Sequence, residues 1–204
     1  MSIPAVTKHP LLDLARMATF HSLSVAQYHQ MIANGILLEG EPIELIEGYL
    51  VEKMSRGTPH DEAMDFLDQA LAALTPVGWF VRSQRAITLA DSEPEPDYAV
   101  VRGAPVRNRG HHPLAPELGL LVEVSDSSLG YDRNHKTRIY ARAGIPVYWI
   151  VNVVDKQIEV FTQPSGPGES PAYATQEVFA VGTNVPVVLD GNAVGTIAVA
   201  DVVG

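Results

Sequence analysis

Two acidic residues and one lysine in the middle of the chain could carry out chemistry together. Asp97 opens the apolar segment DYAVV, and Glu123 lies inside the apolar run LLVEV. A carboxylate that is buried without a partner costs several kcal/mol or has its pKa shifted. The run around Glu123 is apolar on both faces of a predicted strand, which favours a partnered Glu123 over one that faces water.

Lys136 is the candidate partner, in a helix predicted directly after the strand of Glu123. It shares one helical stripe with Ile139 and Tyr140, whereas Arg142 lies on another face. The apolar stripe directs Lys136 towards the sheet. Near the start of a helix the macrodipole disfavours a cation, so we expect anionic neighbours around the ammonium group.

Asp97 and Glu123 would be these neighbours if their two strands are adjacent. Strand alternation places Asp97 on the face of Ala99 and Val101, and Glu123 on the face of Ser125. Carboxylates bind hard cations such as Mg²⁺, and a lysine beside them stabilises developing negative charge. The set predicts metal-assisted hydrolysis of a phosphodiester, with Asp97 and Glu123 as the metal ligands.

More ordinary interpretations exist for these residues and their neighbours. Asp97 could simply begin a strand, and Lys136 could extend past the edge of the core. Asp132 is expected to cap the helix of Lys136, and it could also orient the lysine. Glu44 alternates with apolar residues and is either solvated or in reach of the same cleft. His60 stands at a helix start, where a surface position is expected.

Three predicted helices position these residues. A capping box of Ser24 and Gln27 predicts a short helix at Val25–Ala33. The segment TPHDEAMDFLDQALAALTPVG predicts a core-facing helix that has Thr58 as its cap and ends before a proline. YDRNHKTRIYARAGIP predicts a helix from about 132 to 144.

The predicted strands form two hairpins and a run of three. EPIELIEGYLVEKM predicts a hairpin around Glu47 and Gly48, and VYWIVNVV with QIEVFTQ predicts another. WFVRSQRAITLA, PDYAVVRG and GLLVEVS are predicted strands, and shorter strands are predicted between 173 and 203. His111 and His112 lie in a basic loop rich in proline and glycine, which we expect to be exposed with weak metal potential.

This order of elements predicts an α/β or α+β fold, in which helices flank a mixed central β-sheet. A chain of 204 residues suits one domain, and its 46% hydrophobic content supports a sizeable core. The net charge of −10 argues against a general polyanion-binding surface but allows a local basic patch. The chain has no cysteine, which excludes disulfides and thiolate zinc sites and makes a cytoplasmic location the simplest expectation.

Other classes of protein lack support in the sequence. The N-terminal segment has no long apolar core, so no signal peptide is expected. The longest apolar run, near IPVYWIVNVV, is too short to span a bilayer. Neither a glycine-rich phosphate loop nor a serine or cysteine nucleophile motif is found.

A set of motifs resembles the Uma-two family of restriction endonucleases, which belongs to the PD-(D/E)XK nuclease superfamily. The motifs are IELIEGYLVEKM, TPH, PDYAVV, LLVEVSDSS and D-x-x-x-K-x-x-x-Y-A-R-A-G-I-P-V-Y-W-I-V, and they span the chain from about Ser24 to Phe161. The resemblance implies a restriction-endonuclease-like core, in which an Asp and a Glu bind Mg²⁺ and a lysine positions or activates the attacking water.

The resemblance assigns roles residue by residue. Pro96-Asp97 matches the PD element, and Glu123 matches the second acidic residue. The superfamily lysine normally lies two positions after that glutamate, where this chain has Ser125, and Lys136 matches the lysine that the family carries in the following helix.

Two further residues match the family with roles that stay open. Glu44 corresponds to a glutamate of the first hairpin, and His60 to a histidine at a helix start. With these, the candidate catalytic set is Asp97, Glu123, Lys136, Glu44 and His60.

The function implied by the resemblance is a Mg²⁺- or Mn²⁺-dependent endonuclease acting on nucleic acid, with DNA as the expected substrate. By analogy with restriction enzymes we expect a homodimer, built from a single domain over 1–204 with a short N-terminal helical extension at about 1–38. An alternative is a catalytically inactive nuclease-fold module that binds DNA or protein. A two-carboxylate glycosidase ranks last, because that chemistry has no use for the lysine.

Overall fold

The computed structural model describes residues 19–38, 40–106 and 110–204. The described helices, in chain order, are α1 (Val25–Ala33), α2 (Thr58–Leu74), α3 (Leu129–Tyr131), α4 (Thr137–Ala143) and α5 (Val199–Val203). The strands are β1 (Ile43–Ile46), β2 (Tyr49–Glu52), β3 (Trp79–Ser83), β4 (Tyr98–Arg102), β5 (Leu118–Ser125), β6 (Val147–Asn152), β7 (Gln157–Pro164), β8 (Tyr173–Ala180), β9 (Asn184–Leu189) and β10 (Asn192–Ala198).

A six-stranded mixed sheet forms the centre of the fold. Its strand order is β3-β4-β5-β6-β7-β8, and β1-β2 and β9-β10 form two separate hairpins. Strands β5 and β6 are parallel, whereas the other neighbouring pairs of the large sheet are antiparallel. A parallel pair needs a crossover connection, and the helical segment α3–α4 provides it. The predicted mixed sheet with flanking helices is therefore confirmed.

Each face of the sheet carries its own apolar core. On one face, Leu67 and Leu71 of α2 pack with Leu120 and Trp149 of the sheet, together with side chains of β9, β10 and α5. On the other face, side chains of α4 such as Ile139 pack with alternate residues of β4, β5 and β6. Because successive residues of a strand point to opposite faces, β5 is buried along its whole length.

The N-terminal hairpin and α1 form a smaller unit beside the sheet. Tyr28 of α1 and Leu45 of β1 are buried together, and the Tyr28 hydroxyl donates to the backbone oxygen of Ile43. The turn of the hairpin consists of Glu47 (φ 50°) and Gly48 (φ 82°). Two successive residues with positive φ are the mark of a tight two-residue hairpin turn, as the sequence predicts at this dipeptide.

Local sequence signals give most element positions, with two corrections at helix starts. The capping box at Ser24 is present, and α1 has the predicted bounds. The cap of α2 is Gly57 and not Thr58, which is already helical. The helix predicted from Asp132 instead begins at Leu129 and contains a π-helical turn at Asp132–Lys136 before α4. Asp132 therefore lies inside the helical segment.

Two further predictions concern the N-terminal extension and a membrane span. The predicted N-terminal extension, about 1–38, lies partly outside the described residues, which contain its helix α1. Within the described ranges, no helix has the length and apolar content that a membrane span requires.

Candidate active site

The strand register places Asp97 and Glu123 side by side. Tyr98 pairs with Val122 in the antiparallel ladder of β4 and β5, so the residues one step further, Asp97 and Glu123, stand opposite each other. Residues that are directly opposite in such a ladder share one face of the sheet. Both side chains are buried.

Glu123 and Lys136 form the centre of a buried ionic cluster. Oε1 of Glu123 accepts hydrogen bonds from the Tyr140 hydroxyl (2.7 Å) and from Nζ of Lys136 (3.2 Å). The same ammonium group lies 3.2 Å from Oε2 of Glu44. The other Glu44 oxygen accepts the backbone N–H of Glu95 at 2.8 Å. Glu44 thus reaches the cluster from β1, which resolves the choice that the sequence left open.

Asp97 has different partners for its two oxygens. Oδ2 accepts the backbone N–H of Val124 (2.9 Å) and contacts Nε2 of His60 (3.2 Å). Oδ1 lies 3.6 Å from the guanidinium group of Arg56, beyond hydrogen-bond distance. His60 is only 4% exposed, so the expectation of a surface histidine is wrong. Its side chain is buried because it packs from the first turn of α2 onto Asp97.

Asp132 is a buried acceptor and not a helix cap. Its Oδ2 accepts the hydroxyls of Ser125 (2.7 Å) and Ser128 (2.6 Å). Ser125, which occupies the usual position of the superfamily lysine, therefore anchors the helical segment that carries Lys136. The π-helical turn between Asp132 and Lys136 is a rare local geometry that is frequent at functional sites.

We call the cleft lined by Glu44, Asp97, Glu123, Asp132 and Lys136 the acidic cleft. The cleft contains four carboxylates, and two of them, Glu44 and Glu123, share the buried ammonium group of Lys136. Burial and, to a lesser extent, the neighbouring carboxylates together raise the pKa of Glu123 to about 8 against the opposing effect of Lys136. The pKa of Lys136 also lies above its ordinary value, because Glu123 and Glu44 outweigh the effect of burial. Burial is thus the main cause of the shift for Glu123, whereas the neighbouring carboxylates are the cause for Lys136.

The pKa of His60 is raised as well. Burial alone would lower it, but the hydrogen bond and the charge of Asp97 have the larger combined effect. The charged imidazole is therefore favoured, with Nε2 donating to Asp97. His60 is suited to hold Asp97 in one orientation.

His111 and His112 lie away from this cleft. His111 is exposed, as expected for the loop, whereas His112 is half-buried with Nε2 3.8 Å from Oε1 of Glu93. Glu93 is bound more closely by Nε2 of His29, at 2.8 Å. These contacts tie the loop and α1 together beside the first hairpin.

Sequence reasoning missed the roles of two tyrosines. Tyr140 lies on the predicted core-facing stripe of its helix, and its hydroxyl in addition donates a hydrogen bond to Glu123. Its spacing of four from Lys136 is the signal that both side chains reach one group. Tyr131 also lines the acidic cleft, and its buried hydroxyl has no hydrogen-bond partner within the described residues. No local pattern distinguishes it from an ordinary surface tyrosine.

The donor set fits a divalent cation that is bound by few protein ligands. Within residues 19–38, 40–106 and 110–204, the hydrogen bonds to Asp97 reach Oδ2 and those to Glu123 reach Oε1. One oxygen of each carboxylate is thus left for a cation. Among the described residues no group of three histidine or acidic side chains has the arrangement of a metal site. Mg²⁺ commonly uses only one or two carboxylates and completes its shell with water and phosphate.

Comparisons with known proteins agree with this fold and identify the family. The sequence model of the Uma2 family, described as "Putative restriction endonuclease", matches residues 25–197. A crystal structure from Anabaena variabilis ATCC 29413, titled as a putative nuclease belonging to DUF820, superposes with a TM-score of 0.60 at 17% identity. The superposition covers 83% of this chain and 94% of that chain. No protein in the curated set matches this chain.

The mixed sheet, the crossover helix and the cluster of carboxylates with a lysine define a restriction-endonuclease-like domain. The family match extends over most of its length. The chain belongs to the Uma2 family, the family that its sequence motifs resemble.

Proposed function

We propose that this protein is a metal-dependent endonuclease that hydrolyses phosphodiester bonds, with DNA as the substrate. One observation carries the proposal: the ammonium group of Lys136 lies between Glu123 and Glu44, and Glu123 stands opposite Asp97 at the end of the central strands. A buried lysine beside carboxylates that can bind a metal is a combination suited to metal-assisted phosphodiester hydrolysis.

Asp97 and Glu123 would hold Mg²⁺ or Mn²⁺, each through the oxygen that has no hydrogen bond in the described structure. When bound, the cation would supply neutralisation of the phosphate and a lowered pKa for water. Tyr140 and His60 hold the remaining oxygens of Glu123 and Asp97 in place. Such supporting contacts keep ligands in a productive orientation.

Lys136 would act on the reacting groups directly. Its ammonium group has three N–H donors, and two of them are directed to Glu44 and Glu123. The third donor is left to orient the attacking water or to stabilise the charge that develops on the phosphate. Glu44 helps to fix the ammonium group, because its own position is set by the Glu95 backbone.

The decisive experiment is a cleavage assay on the purified full chain. Supercoiled plasmid and labelled oligonucleotides of single- and double-stranded DNA and of RNA are incubated with Mg²⁺, with Mn²⁺ or with EDTA. We expect cleavage of DNA that requires the metal and is lost in Asp97→Asn. Absence of cleavage with either metal on all four substrates would reject the proposal.

The alternative of an inactive binding module is favoured by charge where its partner is a protein and not DNA. The net charge of −10 and the excess of carboxylates in the cleft oppose the approach of a polyanion unless a cation is bound. Binding of DNA or protein without hydrolysis, in the same metals, would support that alternative.

We also propose a homodimer, because an enzyme that cuts two strands is commonly a symmetric dimer with two sites. Sedimentation equilibrium would show twice the 22.0 kDa mass of the chain. A monomeric mass in the presence of DNA and metal would contradict the dimer while leaving the hydrolytic site untouched.

A further inference from the structure

The loop between β2 and α2 carries two cations with different surroundings. Lys53 forms an ion pair with Glu95. Arg56 borders the acidic cleft, and its side chain is 36% exposed. In the described part of the chain its ion-pair contact is to Oδ1 of Asp97 at 3.6 Å, which is too long for a hydrogen bond. The guanidinium group therefore keeps its donors for another acceptor.

The negative charge of the cleft makes these available donors important for an incoming anion. Lys136 is paired with Glu44 and Glu123 and keeps only its third donor, for the reacting groups. Lys53 is paired with Glu95, and His60 with Asp97. Among the described cations that line the cleft, this leaves the Arg56 guanidinium available for an incoming anion. A DNA strand carries one negative charge per nucleotide, so its approach to a carboxylate-rich cleft requires such a cation.

The chemistry of the guanidinium group suits phosphate better than it suits the single oxygen of Asp97. Its five N–H donors form a planar fork that matches two phosphate oxygens. A counter-ion for Asp97 alone would be expected at hydrogen-bond distance, whereas a side chain that is one-third exposed and poorly paired is positioned to contact a ligand in the cleft.

We propose that Arg56 binds a backbone phosphate of the nucleic acid substrate, beside the bond that the acidic cleft would cut. This inference rests on the proposed function and adds a substrate contact to it. Arg56 is a binding residue in this scheme, so it contributes affinity at every sequence and carries no base preference.

The test is the salt dependence of DNA binding. Fluorescence anisotropy with a labelled DNA duplex is recorded in Ca²⁺ over a series of NaCl concentrations, for wild type, Arg56→Gln, Arg56→Lys and Arg102→Gln. Loss of one phosphate contact lowers the slope of log K against log salt by about 0.9. We expect that decrease, and an affinity loss on the order of tenfold, in Arg56→Gln.

The other two variants separate charge from structure. Arg56→Lys should restore most of the slope, because it keeps the charge. Arg102 is an exposed arginine paired with Asp190 at the far end of β4 from Asp97, so Arg102→Gln should match wild type. A thermal melt of each variant in the same buffer confirms that the comparison is between folded proteins.

The outcomes distinguish this inference from the proposed function. If wild type cleaves and binds DNA while Arg56→Gln keeps the same slope and affinity, the phosphate contact is refuted and the nuclease stands. In that case Arg56 serves as a counter-ion of Asp97, and calorimetry with Mn²⁺ would show an altered metal affinity. If wild type neither binds nor cleaves DNA, both proposals fail.

Discussion

Replacement of Lys136 by methionine is the sharpest perturbation that the site allows. Methionine keeps most of the apolar stem of the side chain and removes the ammonium group, so the loss of packing is small. The lysine is 4% exposed, and its charge lies 3.2 Å from both Glu44 and Glu123. The variant therefore leaves two buried carboxylates without their shared cation.

The expected effect on rate follows from the role of a charge that stabilises the transition state. Removal of one such donor commonly lowers the rate on the order of a hundredfold or more, which corresponds to about 2.7 kcal/mol in the activation free energy. Metal binding should persist, because Asp97 and Glu123 remain and their free oxygens are unchanged.

The expected effect on stability is smaller than for an ordinary buried ion pair. Removing one partner of such a pair costs roughly 3–5 kcal/mol. Here Glu123 has a pKa of about 8 even beside Lys136, so it can take up a proton when the lysine is lost. We expect the free energy of unfolding of Lys136→Met, without metal, to fall by roughly 2 kcal/mol at pH 8 and by less at pH 6.

The assay compares single-turnover cleavage in Mn²⁺ with metal binding by calorimetry. Arg142→Met is the matched control, because Arg142 forms its ion pairs with Glu47 and Asp91 away from the cleft. Equal cleavage rates for wild type and Lys136→Met would refute a catalytic Lys136. Loss of Mn²⁺ binding together with activity would instead assign the lysine to assembly of the metal site.

Three further variants test how the cleft contributes to the stability of the protein. Glu123→Gln should raise or hardly change the stability of the metal-free protein and should abolish stabilisation by Mn²⁺. The stability of the variant relative to wild type should increase as pH rises from about 5 to 8, because the raised pKa of Glu123 makes the wild type lose stability over that range. A strong loss of stability at pH 8 in thermal melts would contradict this. His60→Leu should lower the free energy of unfolding by roughly 1–3 kcal/mol, and by more at pH 6 than at pH 8. A histidine whose pKa is raised on folding stabilises the folded state below its pKa in the unfolded chain, and this stabilisation is lost as pH rises. A pH-independent loss in urea titrations would contradict an ion pair with Asp97. Tyr131→Phe should raise the free energy of unfolding by roughly 1 kcal/mol, because it removes a buried hydroxyl without a partner, and a destabilised variant in the same titration would show that the hydroxyl is bonded in solution.

Features encoded within a few residues of the sequence could be predicted. The capping box of α1 and the Glu47-Gly48 turn each depend on side chains or backbone angles at adjacent positions, and both are as predicted. The faces of β4 and β5 were likewise predictable, since alternation along a strand needs only the strand itself. Whether the face of Asp97 coincides with that of Glu123 depends on the pairing of β4 with β5, which the sequence gives only as a condition and the strand register supplies.

Features that depend on packing between distant segments could not be predicted. The position of Glu44 is decided by how the first hairpin packs on the sheet, at a distance of 92 residues along the chain from Lys136. The burial of His60 depends on the angle at which α2 meets the end of β4. The sequence predicts Asp132 as a helix cap, but its carboxylate accepts the hydroxyls of Ser125 and Ser128, which precede that helix.

The proposed displacement of the lysine from position 125 to position 136 has a physical explanation in these contacts. Ser125 lies on the same face of β5 as Glu123, and its hydroxyl binds Asp132. The helical segment that follows is thereby fixed over that face, so a side chain from its π-helical turn reaches Glu123 from above the sheet. The ammonium group then meets the same carboxylate that a lysine at position 125 would adjoin, while that position is free to anchor the helix. The charge at the cleft depends on this spatial placement and not on the position of the lysine in the sequence.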